Sequence, residues 1–357
     1  MRGARVSHAR AIDIPARVLR QWRQVTRTSL FAFVSDLCAN RQVTGGGTGG
    51  LAGKSDLDGE APAPDMTVAA EVSLAVAAKA SGENFPVALR VLPRAWRAHL
   101  TALYGFARLV DDIGDEPLPG LPADASPDTV RATRLRLLDD LNADVARIYE
   151  GGQPGLEAIR ALGKTVGECG IPRQPLDDLI QANRQDQLVT RYQTYDDLEK
   201  YCELSANPVG QVVLYIMGAA TPERLRLSDN ICTALQLVEH WQDVAEDLRN
   251  DRVYLPQEDL KRFEVTEASL AEPTAGPNVR KLMTFESHRA SALLAEGAPL
   301  VGTLKGAARL AISGYVAGGR AALTAITAAG YDVLRQTPKP GKATTLINMV
   351  SCYVRGR

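Results

Sequence analysis

The sequence predicts an all-α protein. Alanine, leucine and arginine dominate the composition, aromatic residues make up only 5%, and alternating strand-like patterns are rare. From Val68 onward, apolar residues recur at the three- and four-residue spacing of amphipathic helices. With 357 residues and 45% hydrophobic residues, the chain is long enough to bury a sizeable core.

The bulk properties exclude several classes of protein. A net charge of −1 argues against a nucleic-acid partner. No stretch of about 18 apolar residues is free of charge, so no membrane-spanning helix is expected. The cysteines are odd in number and show neither metal-ligand nor disulfide spacing, which favours a cytoplasmic protein. They are Cys38, Cys169, Cys202, Cys232 and Cys352.

Residues 1–65 differ from the rest of the chain. The segment Met1–Arg41 is rich in arginine, and glycines crowd residues 44–50. This composition predicts a disordered extension, or a mis-set start with translation beginning at Met66. A targeting peptide is the alternative, although its apolar piece, Ser29–Leu37, is short.

Residues 66–335 are predicted to form one helical domain, followed by a surface tail at 336–357. The segment 114–127 is rich in glycine and proline, which predicts an exposed loop. An N-terminal cap is expected at Asp196-Asp197. Helices are expected at Ala69–Ala80, Arg94–Val110, 128–150, 154–168, 174–190, around Tyr201, at Asn207–Ala220 and Arg226–Leu248, with two or three more in 258–335.

Two acidic clusters, DDIGDE and DVAED, lie in stretches predicted to be helical. In each, two aspartates stand four residues apart, Asp111 with Asp115 and Asp243 with Asp247, which places them on one helical face. Such a face is unfavourable unless a cation neutralises it, and Mg²⁺ held by carboxylates commonly also binds substrate phosphates. A solvated helix end is the simpler interpretation of one cluster, but two clusters 132 residues apart favour a metal site.

Further polar residues share these helical faces. Arg108 precedes Asp111 by three residues and is a candidate diphosphate clamp, because a guanidinium donates two hydrogen bonds to phosphate oxygens. Tyr104 lies one turn earlier and could offer its ring to a carbocation. His240 lies near the second cluster, where a packed or surface histidine is the expected interpretation.

Several motifs together resemble the squalene/phytoene synthase family over roughly residues 70–335. The residues that carry the resemblance are Phe85, Tyr104-x-x-x-Arg108-x-x-Asp111-Asp112-x-x-Asp115, Tyr201-Cys202 with Val209-Gly210, Gln236-Leu237-x-x-x-x-Gln242-Asp243-Val244-x-Glu246-Asp247, and Arg252-Val253-Tyr254-Leu255-Pro256. The branch that these sequences resemble most is the hydroxysqualene synthase branch of the hopanoid pathway. Its motifs match Glu83–Val87, Ser205–Gly210, Trp241–Asp243 and Val316–Ala321.

The resemblance implies an isoprenoid synthase fold of the head-to-head trans-prenyltransferase type, with helices around a central cavity. It implies two or three Mg²⁺ ions, bound by Asp111, Asp115, Glu239, Asp243 and Asp247. The catalytic residues would be the four aspartates with Arg108 and Tyr104. The substrate-binding residues would be Phe85, Arg108, Val209, Gly210, Gln236, Arg252 and Tyr254.

The implied reaction is ionisation of presqualene diphosphate, with water capturing the rearranged cation as hydroxysqualene. NADPH is not expected. The implied partners are presqualene or farnesyl diphosphate and other hopanoid-pathway enzymes, and Leu346–Val354 could make a peripheral membrane contact. One alternative is condensation of two prenyl diphosphates to presqualene diphosphate, squalene or phytoene. Another, of a different class, is an inactive helical assembly protein.

The chain departs from the family pattern at two positions. Glu239 stands where the family commonly has Asn, which adds a negative charge beside the metal site. Gln242 stands where many phytoene and squalene synthases have Arg, which removes one cation that would face the phosphates. The hydroxysqualene branch tolerates Gln there, so Gln242 supports that branch.

Overall fold

A computed structural model describes residues 92–122 and 124–357, which are predominantly helical. The helices of these ranges, numbered in chain order, are α1 Arg94–Asp115, α2 Pro127–Tyr149, α3 Glu157–Cys169, α4 Gln174–Asp186, α5 Tyr195–Ser205, α6 Asn207–Ile216, α7 Pro222–Gln242, α8 Val244–Arg249, α9 Gln257–Arg262, α10 Glu267–Leu270, α11 Pro277–Gly297, α12 Leu300–Thr303, α13 Gly306–Ala328 and α14 Lys342–Arg355. Within the described ranges the only β-type pairing is one isolated bridge, between Arg191 and Val253. The all-α prediction is confirmed.

Local sequence signals explain where several helices begin. Ser126 precedes Pro127 at the start of α2, and its hydroxyl accepts a hydrogen bond from a first-turn backbone N–H. At α5 the cap is Thr194, in a capping box with Asp197. The predicted cap at Asp196-Asp197 was therefore wrong, because Asp197 occupies the third helical position and bonds back to the cap.

Helix α7 is the central element of the fold. It packs against α6, α11 and α13, and its C-terminal half is buried on all sides. The predicted single helix Arg226–Leu248 was wrong in its start and in its continuity. The helix begins earlier, at Pro222, and the backbone leaves helical geometry at Asp243 with φ −108° and ψ 15°, before α8 resumes at Val244. The second acidic cluster therefore spans a helix junction.

The helices around α7 position both clusters. Helix α1 packs against α3 and α4, which brings the first cluster to the side of α4. A second apolar core surrounds the end of α7 and includes Trp241, Leu260 and Met283. In the described residues, no helix combines the length and apolar character that crossing a membrane requires.

The segment 336–357, expected as a surface tail, contains the fourteen-residue helix α14. One face of α14 packs against α13 and buries Met349 and Cys352, while the opposite face is exposed. Phe85, the predicted helix Ala69–Ala80 and the predicted extension 1–65 lie outside the described residues.

Candidate active site

The first acidic cluster is held in place by α4. Asn183 donates a hydrogen bond from Nδ2 to Asp111 Oδ1 at 3.3 Å, and Gln187 donates one to the Gly114 carbonyl at 3.1 Å. A Cβ on Gly114 would overlap the Asn183 Oδ1 atom, so any larger residue there would displace the side chain that holds Asp111. Asn183 and Gln187 were not among the predicted site residues, although their spacing of four residues places both on one face of the helix that became α4.

The environment of Asp111 suits a cation. Burial raises the pKa of Asp111 well above its usual range, and the negative charge of Asp115 raises it further. The hydrogen bond from Asn183 and the charge of Arg108 act in the opposite direction but do not cancel this shift. A divalent cation would remove the repulsion that makes ionised Asp111 unfavourable.

Arg108, the predicted diphosphate clamp, is bound to acids of its own helix. Its side chain is buried, with Nε 2.8 Å from Asp112 Oδ1 and an NH2 nitrogen 3.4 Å from Glu116 Oε1. Tyr104 is buried one turn earlier on α1. Binding of diphosphate by Arg108 stays a prediction, since the guanidinium would have to exchange a carboxylate partner for phosphate.

The second cluster is covered by the connection between α13 and α14. Thr337 donates a hydrogen bond to Asp243 Oδ1 at 3.4 Å, and the Gln242 amide donates one to the Pro338 carbonyl. Gln242 and Glu239 are both buried. The Gln242 side chain therefore holds residues 337–338 against the helix junction, a contact that the sequence did not predict.

Arg252 connects the two clusters. Its NH2 nitrogen lies 3.0 Å from Asp115 Oδ1, while its NH1 nitrogen is buried and has no hydrogen-bond partner among the described residues. The backbone fixes this geometry, because the Arg252 N–H donates to the Asp247 carbonyl at 2.9 Å and the Val253 N–H donates to Thr190 at 2.9 Å. One guanidinium nitrogen is thus available to an anionic ligand at the meeting point of the clusters.

Aromatic rings pack together in a buried group near Arg252. His240 stacks on Tyr254 with ring centroids 3.7 Å apart and an interplanar angle of 12°, and Tyr201 lies 5.7 Å from Tyr254. Tyr192 extends the group at 5.8 Å from Tyr254. The Nδ1 atom of His240 is 3.9 Å from Asp247 Oδ2. His240 is thus packed, and the α7–α8 junction brings Asp247 close to it.

The remaining predicted substrate residues lie on α6 and α7. Val209 is buried, and Gln236 is buried with Nε2 3.1 Å from His240 Nε2, while its Oε1 lacks a partner among the described residues. A Cβ on Gly210 would stand 2.5 Å from Ser228 Oγ, so close helix packing by itself accounts for this glycine. Substrate contact by these residues stays a prediction.

The predicted carboxylate ligands of Mg²⁺ are distributed over two parts of the fold. Within residues 92–122 and 124–357, no group of three or more acidic, histidine or cysteine side chains converges on one point. The predicted ligands are instead divided between α1 and the α7–α8 junction. This arrangement fits Mg²⁺, which is commonly held by one or two carboxylates, with water and substrate phosphates completing its shell.

Comparison with known proteins then identifies the family. The family model for squalene/phytoene synthase matches residues 78–344, which is most of the chain. The chain belongs to the squalene/phytoene synthase family. Like other members of this family, it is an enzyme that processes prenyl diphosphates.

Individual relatives are about a third identical to this family member over the residues that align. It is 33% identical to the hydroxysqualene synthase of Rhodopseudomonas palustris over 62% of this chain and 72% of that protein. It is 31% identical to the phytoene synthase of Arthrospira platensis over 58% of this chain and 68% of that protein. The crystal structure of squalene synthase HpnC from Alicyclobacillus acidocaldarius aligns with a TM-score of 0.63 and 38% identity, covering 74% of this chain and 94% of that one. The isoprenoid synthase fold expected from the resemblance is thereby confirmed.

Proposed function

We propose that this enzyme ionises presqualene diphosphate in a Mg²⁺-dependent reaction and forms hydroxysqualene and diphosphate. The observation that carries the proposal is the position of Arg252, which contacts Asp115 and keeps a buried NH1 nitrogen without a partner among the described residues. A diphosphate placed between the clusters would accept a hydrogen bond from that nitrogen.

The side chains of both clusters would bind the leaving group. Bound Mg²⁺ would act as a Lewis acid that stabilises the negative charge on the departing diphosphate. Its candidate ligands are Asp111, Asp115, Glu239, Asp243 and Asp247. Arg252 would orient the diphosphate from the side of the second cluster, and Arg108 would assist from α1 after exchanging Asp112 or Glu116 for a phosphate oxygen.

The aromatic group would act on the carbon skeleton. The bond between the carbinyl carbon and the diphosphate oxygen breaks, and its electron pair leaves with diphosphate. The ring faces of Tyr201 and Tyr254 would then stabilise the cation electrostatically. Water supplies the oxygen of the new carbon–oxygen bond and gives up one proton to the released diphosphate. Gln236 Oε1, buried without a partner among the described residues, would orient that water. No hydride donor enters this sequence, so NADPH is not expected.

The relatives support two candidate reactions. The hydroxysqualene synthase of Rhodopseudomonas palustris and the contact of Gln242 with Pro338, in place of a phosphate-facing arginine, favour the hydroxysqualene reaction. The phytoene synthase of Arthrospira platensis, at 31% identity, favours the alternative of condensing two prenyl diphosphates. Cytoplasmic location with a peripheral membrane contact is part of the same proposal.

A two-substrate assay tests the proposal. The purified enzyme is incubated with Mg²⁺ and either presqualene diphosphate or farnesyl diphosphate, with and without NADPH, and the products are identified by mass spectrometry. We expect hydroxysqualene from presqualene diphosphate and no dependence on NADPH. A C30 or C40 product from an allylic diphosphate, with no hydroxysqualene from presqualene diphosphate, would establish the condensing alternative instead.

A further inference from the structure

The exposed large apolar side chains of the described residues concentrate on α14. Four of the five lie there, namely Ile347 at 68% exposure, Val354 at 49%, Tyr353 and Val350, and the fifth is Leu188. Isolated exposed apolar residues are ordinary, but a contiguous group on one element indicates an interaction surface.

The exposed residues form a stripe along α14. Ala343, Ile347, Val350 and Val354 are spaced four, three and four residues apart, which places them on one helical face. The opposite face is the one that buries Met349 and Cys352 against α13. Helix α14 thus carries two apolar faces, and only one of them is covered in the described structure. We call the exposed residues the α14 stripe.

The C-terminal segment that contains the α14 stripe is strongly basic. From Gly297 to the end, the chain carries one acidic residue, Asp332, which is paired with Arg280. Over the same stretch it carries eight basic residues: Lys305, Arg309, Arg320, Arg335, Lys339, Lys342, Arg355 and Arg357. Because the whole chain has a net charge of −1, this positive charge is local.

Helix α14 is attached firmly to the protein. Arg309 donates to the Tyr353 carbonyl at 2.9 Å and lies 5.2 Å from the Tyr353 ring centroid, and Arg320 donates to Cys352 Sγ at 3.1 Å. Lys342 and Arg355 are exposed at the two ends of the helix. A fixed helix with an apolar outer stripe and flanking cations is typical of binding to an anionic membrane surface.

We propose that the α14 stripe docks this enzyme on the surface of an anionic lipid bilayer. Ala343, Ile347, Val350 and Val354 would enter the boundary between headgroups and acyl chains, while Lys342 and Arg355 would contact lipid phosphates. The docking helix lies at and beyond the end of the family match, which stops at residue 344.

Charge disfavours two other occupants of this surface, a second copy and the segment Met1–Arg41. A second copy in a twofold dimer would bring the same basic residues face to face. The segment Met1–Arg41 carries eight arginines and two aspartates, so it has the same sign of charge as the region around α14. An anionic bilayer is complementary to both the apolar stripe and its cations. If the proposed function holds, docking would also place the enzyme where long-chain prenyl substrates partition.

Vesicle flotation without substrate tests this proposal separately from the reaction. Full-length protein is floated with vesicles of phosphatidylcholine, alone or mixed with phosphatidylglycerol. We expect binding to the mixed vesicles that weakens with salt, and at least about tenfold weaker binding for the Ile347→Ser/Val354→Ser variant. Leu188→Ser is the matched control, since Leu188 has 66% exposure and lies on another surface, and it should bind as the unmodified protein does.

Three results would overturn the proposal. These are absence of flotation for the unmodified protein, equal binding by the double-serine variant, and equal binding to both kinds of vesicle. Sedimentation measures the oligomeric state in parallel. If the double-serine change converts a dimer into a monomer and neither protein binds vesicles, a second copy covers the stripe. Circular dichroism verifies that each variant folds. The Lys342→Glu/Arg355→Glu variant leaves the apolar stripe intact and should bind the mixed vesicles more weakly than the unmodified protein does.

Discussion

Arg252 contacts Asp115, with its NH2 nitrogen 3.0 Å from Oδ1, although 137 residues separate the two in sequence. The pair joins the segment after the second acidic cluster to the end of the first. It places a guanidinium beside Asp115, where it balances part of the charge of the first cluster and keeps its NH1 nitrogen for an anion.

Replacing Arg252 should therefore impair binding of the diphosphate. We expect Arg252→Ala to lower kcat/KM by about 10- to 100-fold, because a hydrogen bond to a charged group contributes about 1.5–3 kcal/mol. Arg252→Lys should restore part of the loss. In a double-mutant cycle with Asp115→Asn the effects should not add, since the residues are in contact. Arg262→Ala, a change at the end of α9, serves as control, and equal losses for both alanine variants would contradict this assignment.

Magnesium and diphosphate should stabilise the protein jointly. We expect Mg²⁺ with inorganic diphosphate to raise the melting temperature more than either ligand does alone, because each completes the binding site of the other. Asp111→Asn should reduce the joint shift, whereas Asp128→Asn, whose carboxylate is 83% exposed on α2, should not. Thermal denaturation measures both effects without requiring turnover. Equal shifts for the two variants would argue against Asp111 as a ligand.

Glu239 should influence the Mg²⁺ concentration that the enzyme requires for activity. Glu239→Asn introduces the residue common in the family and removes one negative charge from a buried position of α7. We expect a several-fold increase in the Mg²⁺ concentration that gives half-maximal activity, because carboxylate count sets affinity for hard cations. Glu203→Asn, on α5, is the control in a magnesium titration of activity. An unchanged magnesium requirement would remove Glu239 from the predicted ligand set.

Substitution of Gly210 tests whether close helix packing accounts for the glycine at this position. We expect Gly210→Ala to lower the free energy of unfolding by about 1–3 kcal/mol, because the new methyl group would overlap Ser228 and Cys232. Gly167→Ala on α3 places its methyl group in open space and should instead raise the free energy of unfolding by about 0.5–1 kcal/mol. Urea denaturation measures both values. Combining Gly210→Ala with Ser228→Ala should recover part of the loss if packing is the cause.

Stability should fall as pH rises through the range set by Glu286. Burial raises the pKa of Glu286 to about 8, with Arg289 opposing and Asp259 adding to the shift. The folded state therefore binds this proton more tightly than the unfolded state does. The resulting contribution to the free energy of unfolding is complete below about pH 4.3 and is lost by about pH 8. The free energy of unfolding should not fall by more than about 1.4 kcal/mol per pH unit from this group. In denaturation between pH 5 and 9, Glu286→Gln should flatten this slope, and Asp128→Asn should leave it in place.

Local sequence signals predicted much of the fold but not its junctions. Apolar periodicity located most helices of the described region within a few residues, because helical spacing and caps such as Thr194 depend only on near neighbours. The same signals extended one helix across Asp243, where the backbone breaks. They also left 336–357 as a tail, since burial of Cys352 depends on α13, which the pattern of α14 does not specify.

The sequence by itself determined that this is an all-α protein of the squalene/phytoene synthase family with two acidic clusters. Residue type and spacing within one helix suffice for that, because i and i+4 positions share a face in any α-helix. Only the tertiary structure decided that Arg252 reaches Asp115 and that His240 stacks on Tyr254. Those contacts depend on how helices pack and which partner each side chain meets, and charge or spacing along the chain does not specify either.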